Sequence, residues 1–258
     1  MIVPSDAREL GERLRGRRVL VTRPEDDAAA WAEGLASFGA VPVLRPSLSC
    51  ETLRDTETGL RLRTALAACD RLVLTSARAV DALEEILGRP LSIEAPVAAV
   101  GARTAERARA AGLHVLLEAD GGSVKDIASS LEQDLAAFAP RTPFVLQAGA
   151  EETRPGLERL ARSGAVRFER IPVYRTRPCP AVPEGEREDV DVDVVLLASP
   201  SAVRGLVGRV RLPRGAHVVT LGPSTTAAAR EAGLPVAGEA ATRDLLGLLR
   251  AIPKERSR

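Results

Sequence analysis

Aromatic side chains are nearly absent from this sequence: one Trp, one Tyr and four Phe make up 2% of its 258 residues. A core must therefore be built from Leu, Val and Ala, and apolar residues, at 45%, supply enough for one. That palette suits helices packed on buried parallel strands. Cysteine is scarce as well. Cys50, Cys69 and Cys179 are odd in number, widely spaced and form no CxxC pair, which argues against a zinc site and a disulfide framework and leaves three reduced thiols. An excess of one charge is missing too. The formal net charge is +1, without the basic footprint of a nucleic-acid binder. No apolar run approaches bilayer-spanning length, and residues 1–18 lack the apolar stretch of a signal peptide. The expected setting is soluble and cytoplasmic, with no nucleic-acid or membrane partner. GxGxxG, Walker A, GxSxG and HExxH sequences are all absent, so no cofactor and no metal is expected.

What is present is a diverged duplication. Arg71-Leu-Val-Leu-Thr-Ser-Ala-Arg-Ala-Val80 matches Val194-Val-Leu-Leu-Ala-Ser-Pro-Ser-Ala-Val203. Downstream, Val97-Ala-Ala-Val-Gly-Ala-Arg-Thr104 runs on to Ala111-Gly-Leu113, and Val218-Val-Thr-Leu-Gly-Pro-Ser-Thr225 runs on to Ala232-Gly-Leu234. Upstream, Val19-Leu-Val-Thr-Arg23 leads to Gly39, as Phe144-Val-Leu-Gln-Ala148 leads to Gly164. The halves, about Arg17 to Glu118 and Arg141 to Glu239, read as two copies of one unit.

Within each copy, short apolar runs alternate with helical spacing. Val19–Thr22, Leu72–Thr75, Val97–Val100, Phe144–Gln147, Val194–Leu197 and Val218–Leu221 have the length of buried strands, and Val43–Leu44 and Ile171–Tyr174 add two interrupted by proline. Asp26–Phe38 predicts a helix with Ala30, Trp31, Gly34, Leu35 and Phe38 on one face; Thr153–Ser163 predicts another with Leu157, Leu160 and Ala161. Gly39, Gly112, Gly164 and Gly233 each close a helix that a strand follows, and Gly121-Gly122 makes a turn. Strand–helix–strand repetition implies an α/β fold: doubly wound parallel sheets with helices on both faces.

In open α/β sheets, ligands bind beyond the carboxyl ends of the strands. Those ends carry Thr22-Arg23, Thr75-Ser76, Gly101 and Thr104, Ser199 and Ser201, and Gly222 with Ser224, Thr225 and Thr226. Hydroxyls and backbone N–H groups at helix starts suit a carboxylate or phosphate. Plain N-capping selects the same residues, so the turns alone leave both readings open. His114 and His217 stand away from strand carboxyl ends and read as structural or surface residues. Tyr174, the one tyrosine, reads equally as an ordinary strand residue.

Taken in order, strand–Thr-Arg-Pro, Leu-Thr-Ser-Ala-x-Ala-Val, Ala-Val-Gly-x-x-Thr-Ala, Ile-Pro-Val-Tyr-Arg-Thr, Ser-Pro-Ser-Ala-Val and Leu-Gly-Pro-Ser-Thr-Thr-Ala resemble the uroporphyrinogen-III synthases from about Arg17 to Leu249. The resemblance implies two similar doubly wound domains, one from 1–44 plus 177–258 and one from 50–169, with 45–49 and 170–176 as connector strands. It also implies a monomer without cofactor that cyclises hydroxymethylbilane in a cleft between its domains. Tyr174 would assist loss of the substrate's hydroxyl as a general acid. Thr225 and Thr226 would orient the substrate; Ser76, Ser199 and Ser201 would contact its carboxylates. Arg78, Gln147 and Ala198 depart from the family pattern. A family relative with another anionic substrate and a non-catalytic two-lobed binding protein remain the alternatives.

Overall fold

The computed structural model describes residues 4–119, 124–152, 156–162, 164, 166–242 and 244–254. In chain order its elements are α1 (Pro4–Leu14), β1 (Arg18–Val21), α2 (Glu25–Ser37), β2 (Val41–Leu44), β3 (Leu48–Thr52), α3 (Thr56–Ala68), β4 (Arg71–Leu74), α4 (Ala77–Leu87), β5 (Val97–Ala99), α5 (Ala102–Ala110), β6 (Val115–Glu118) and α6 (Val124–Leu135). There follow β7 (Phe144–Ala150), α7 (Glu158–Arg162), β8 (Arg167–Pro178), β9 (Glu188–Asp189), β10 (Val194–Leu197), α8 (Pro200–Val207), β11 (Val210–Arg211), β12 (His217–Thr220), α9 (Pro223–Glu231), β13 (Val236–Glu239) and α10 (Leu245–Arg250). Among the described residues no helix is long and apolar enough to cross a membrane. The Gly121-Gly122 turn lies outside the described residues, as do residues 153–155 and 163 of the second predicted helix.

The chain divides into two compact units, Met1–Ser49 with Arg177–Arg258, and Cys50–Thr176. The sheet of the first has strand order β13-β12-β10-β1-β2, and every neighbouring pair is parallel. The sheet of the second has order β3-β8-β7-β4-β5-β6, parallel from β8 through β6. Hydrogen bonds from Leu53 N to Val173 O and from Cys179 N to Ser47 O run in opposite chain order, so β3 and β8 are antiparallel. The chain passes from one unit to the other along these two strands.

Each sheet is covered on both faces because consecutive strand residues point to opposite sides. In the first unit Val19 and Val21 pack with Leu10, Leu14, Ala28, Leu35 and Leu248, while Leu20 packs with Val203, Leu206 and Ala229. In the second, Leu72 and Leu74 pack with Leu62, Val80, Leu83 and Ala105, while Val73 packs with Ile127, Leu131 and Leu160. The parallel, doubly covered strands expected from aliphatic runs are therefore observed.

The two sequence copies are exchanged between the units. The first copy places β1, α2 and β2 in one sheet and β4, α4, β5, α5 and β6 in the other; the second copy places β7, α7 and β8 opposite to β10, α8, β12, α9 and β13. Each sheet is thus completed by half of each copy. The parallel strands of both show the order 2-1-3-4-5 when counted from β1 or from β7, with β3 added at the edge of the second sheet, which puts their switch points between β1 and β10 and between β7 and β4.

Local details follow from local chemistry. Gly39, Gly112, Gly164 and Gly233 all sit at positive φ, between 71° and 82°, as residues that end helices. The face of α2 needs correcting. Ala30 is exposed, and the buried residues are Ala28 and Leu35, flanked by Trp31 and Phe38, which is the spacing of a helical stripe. Ala161 is likewise exposed, while Leu157 and Leu160 are buried. The charged start of the chain forms α1, docked through Leu10 and Leu14 one turn apart.

Asp70 ties the amino ends of β4 and β7 together. It accepts two hydrogen bonds from Arg141, at 2.7 and 2.9 Å, and one from the Phe144 N–H at 2.8 Å. Arg141, ahead of the Phe144 N–H and against partial burial, holds its carboxyl below the usual range. A carboxyl depressed in the folded state stabilises above its unfolded pKa of about 4, and that stability is lost as pH falls through the folded value. Asp70→Asn should cost about 1.5 kcal/mol at neutral pH. Denaturant titration should show the gap to the parent protein closing as pH falls below about 4.

Candidate active site

In the second unit the switch point between β7 and β4 gathers three of the predicted residues. Ser76 is the N-cap of α4, and its Oγ accepts a 3.2 Å hydrogen bond from Ala79 N. Tyr174 reaches the same place from β8. A register shift in β7 at Gly149/Ala150 pairs Tyr174 with Ala150. The ring is buried at 9% exposure in the same cluster as Ile171 and Val173, and its hydroxyl lies 3.0 Å from Ser76 Oγ. Thr75 completes the group. A Cβ on Gly149 would come 3.2 Å from Thr75 Oγ1, so glycine in β7 leaves room for this turn.

Gly101 opens α5 at φ 86° with no side-chain cap, and Thr104, one turn in, is buried at 4% exposure. The Thr104 side chain therefore packs inward. Arg78, at the start of α4, donates to Thr52 Oγ1 at 3.2 Å and pairs with Glu85 at 3.6 Å. The Thr52 hydroxyl, ahead of Arg54 and Arg78, holds the Glu85 carboxyl below its ordinary range. Arg78 is thus part of a polar clasp from α4 to β3.

In the first unit the corresponding turns divide into two kinds. Thr22 is buried, and its Oγ1 donates to Leu196 O at 3.0 Å, so it stitches β1 to β10. Its carbonyl accepts from both Ser47 Oγ and Ser47 N. Arg23 is half-buried with its guanidinium 4.9 Å from the centre of the Trp31 ring. Ser199 caps α8 through Ala202 N at 3.1 Å, matching Ser76 in the other copy. Ser201 accepts from Arg204 at 3.0 Å. Gly222 opens α9, again with no side-chain cap, and Ser224 is exposed on the first turn.

Thr225 and Thr226 are buried at 3% and 6% exposure. Thr226 Oγ1 lies 2.6 Å from Thr220 Oγ1 and also bonds to Glu239 and to Gly222 O. It belongs to a hydroxyl–carboxylate cluster joining α9 to β12 and β13. Nothing in the sequence pointed to Glu239 or Ser47, because their contacts join residues far apart in the chain and leave no spacing signature.

The duplication therefore repeats one scheme. α4 and α8 are capped by serine hydroxyls, whereas α5 and α9 start at glycine with the first turn uncapped by any side chain. An uncapped helix start offers backbone N–H groups and the positive end of the helix dipole to a carboxylate.

Cavities of about 590 and 550 Å³ in the second unit are lined by Cys69 and Ala95 and by Pro143 and Val166, at the amino ends of the strands and away from these residues. Burial pushes the Cys69 thiol up to about 11, so it stays protonated at neutral pH. Among the described residues no group of three or more His, Cys, Asp or Glu is placed to hold a metal ion.

Comparison with known proteins follows the same lines. A family model described as uroporphyrinogen-III synthase HemD matches residues 29–250. No curated protein matches significantly. Among solved structures, uroporphyrinogen-III synthetase from Helicobacter pylori is similar with a TM-score of 0.55 and 14% identity, over 91% of this chain and 97% of that one. At that identity it speaks for the fold alone. A mutant uroporphyrinogen III synthase from the extremely thermophilic bacterium Thermus thermophilus matches with a TM-score of 0.48 and 20% identity, over 91% of this chain and 96% of that one. The family match spans most of the sequence and both units, and on that ground the chain belongs to the uroporphyrinogen-III synthase family.

Proposed function

We infer that this chain is a lyase that closes the linear tetrapyrrole hydroxymethylbilane into uroporphyrinogen III, with loss of water and inversion of ring D. The observation that carries this reading is the family match over residues 29–250. The Tyr174 phenol, packed into its sheet and hydrogen-bonded at 3.0 Å to a helix N-cap, supports a role in the first step. There it hydrogen-bonds the terminal hydroxyl of the substrate and gives up a proton as the C–O bond breaks. The electron pair of the pyrrole nitrogen takes the place of that bond. Water leaves, and an electrophilic N-protonated azafulvene remains beside the phenolate. The far pyrrole attacks it through its substituted α-carbon to form a spiro intermediate, which fragments and recloses with the last ring turned over. The phenol recovers its proton when the α-carbon that closes the ring loses its hydrogen.

The rest of the work is orientation and exclusion of water. The substrate carries an acetate and a propionate on every ring. The glycine-opened starts of α5 at Gly101 and α9 at Gly222 suit those carboxylates best, with Ser224, Thr75, Arg23 and Ser201 as side-chain donors. Ser199 offers its hydroxyl while capping α8. Thr22, Thr104, Thr225 and Thr226 support the turns from inside, since their side chains are buried. The same reading places the activity in the cytoplasm, in a monomer.

The test is a coupled reaction in which the preceding deaminase supplies hydroxymethylbilane and the oxidised products are separated by chromatography. Mostly type III isomer is expected with the protein present. Only the spontaneous type I isomer, from a folded sample, would reject the assignment.

A further inference from the structure

Ser76 has more to do than cap a helix. Its Oγ accepts from Ala79 N at 3.2 Å and lies 3.0 Å from the Tyr174 hydroxyl. A serine oxygen has two lone pairs and one proton. The Ala79 N–H takes one lone pair, and the proton can then be given to the phenol oxygen. We propose that Ser76 is the positioning residue for Tyr174: it donates its O–H to the phenol oxygen and so directs the phenol proton away from α4. This rests on the reading of Tyr174 as the acid of the first step.

Two consequences follow from that polarity. The phenol has a fixed orientation rather than a rotating hydroxyl, so its proton has one direction of transfer. Negative charge growing on the phenol oxygen is met by the serine proton and by the positive end of α4, whose 11 residues begin at Ala77. A hydrogen bond to the charged form favours that form, so Ser76 makes Tyr174 a stronger acid. The matched residue of the other copy, Ser199, also caps its helix, through Ala202 N. The unit that holds Ser199 has no tyrosine, because Tyr174, the only one in the chain, belongs to the other unit. Capping alone therefore accounts for Ser199 but not for the second contact of Ser76.

Charged side chains on the elements flanking Tyr174 are occupied among themselves. Arg78 of α4 bonds to Thr52 and Glu85, Arg175 of β8 bonds twice to Glu51 of β3, and Arg170 bonds to the carbonyls of Ala150 and Glu151. Substitution at Ser76 by an uncharged residue leaves this set unchanged.

The single tyrosine makes the proposal measurable without turnover. Growth on a fluorinated tyrosine labels position 174 alone, and lowers the phenol's titration into a range where the fold survives; its near-ultraviolet absorbance then reports ionisation directly. Three variants separate the roles. Ser76→Ala removes cap and donor, Ser76→Thr keeps both, and Ser76→Gly removes the donor at only a small cost in capping. Relative to the parent, the titration midpoint should rise by about one pH unit in Ser76→Ala. It should rise as much in Ser76→Gly and return in Ser76→Thr. The two donor-less variants should also lose kcat, by about tenfold, with KM little changed. A Ser76→Gly protein that titrates like the parent would show that Ser76 is a cap only and overturn the proposal. The titration is read independently of the reaction, so a midpoint that moves in a chain making no type III isomer would reject the proposed activity and leave the Ser76–Tyr174 pairing standing.

Discussion

Tyr174→Phe should lower kcat for ring closure by about 100-fold, with KM for hydroxymethylbilane nearly unchanged. The size follows from the role. A positioned general acid contributes roughly two to four powers of ten, and the low end applies because the terminal hydroxyl of this substrate already leaves spontaneously. The selectivity follows from the packing. The ring is buried with Ile171 and Val173, and Phe fills the same volume. Phe removes the hydroxyl and with it the bond to Ser76, at a cost in stability of about 1 kcal/mol. The substitution leaves the helix starts of α5 and α9, where the substrate's carboxylates are proposed to dock, unchanged, and on that proposal KM stays in place. Because uncatalysed closure continues, the share of type I isomer should rise as the enzymatic rate falls. Single-turnover rates and the isomer ratio measure both effects. Full retention of rate would remove Tyr174 from the chemistry.

Much of this arrangement was legible in the sequence, for physical reasons that also explain what was not. Aliphatic runs such as Val194–Leu197 have the length of strands covered on both faces, and all four of those residues are fully buried. Glycines closing helices were readable because positive φ selects them. The edge strands β6 and β13 were legible only as strands following Gly112 and Gly233, without bounds. Both alternate between half-buried and exposed residues over four positions, too short a stretch to stand out from a loop. The reciprocal exchange of half-copies was invisible to periodicity, since a strand run reads the same whichever sheet it joins. Likewise, Ser or Thr at a helix start reads the same whether its hydroxyl faces solvent or the core. Ser224 faces out, while Thr22, Thr104 and Thr226 face in, and only packing decides between them. Tyr174 and Ser76 stand 98 residues apart, so their contact exists only once β8 lies across β7 from β4.

Gly205→Ala should destabilise the first unit by about 3 kcal/mol, against the direction that helix propensity predicts. Gly205 sits inside α8, where alanine normally gains about 1 kcal/mol over glycine. Here a Cβ would lie 1.8 Å from Ser47 O and 3.1 Å from Cys179 N. Those atoms are backbone and cannot rotate aside. The same carbonyl accepts the 2.8 Å hydrogen bond from Cys179 N, and Ser47 is further held by Thr22 O. The helix itself must lift, and lifting it uncovers Ala202, Val203 and Leu206, all at about 1% exposure in the parent. A melting temperature lower by about 6–12 °C is expected for a chain of this size. Gly185→Ala is the matched control, because nothing lies within 4 Å of its added carbon, and it should leave the melting temperature unchanged. The pair also bears on function. Ser47 holds the carboxyl end of β1 through Thr22, so a displaced α8 disturbs the β1–β10 switch point and should depress ring closure at temperatures where the sample is still folded. A Gly205→Ala protein as stable as the parent would mean that α8 does not pack this closely against Ser47 and Cys179.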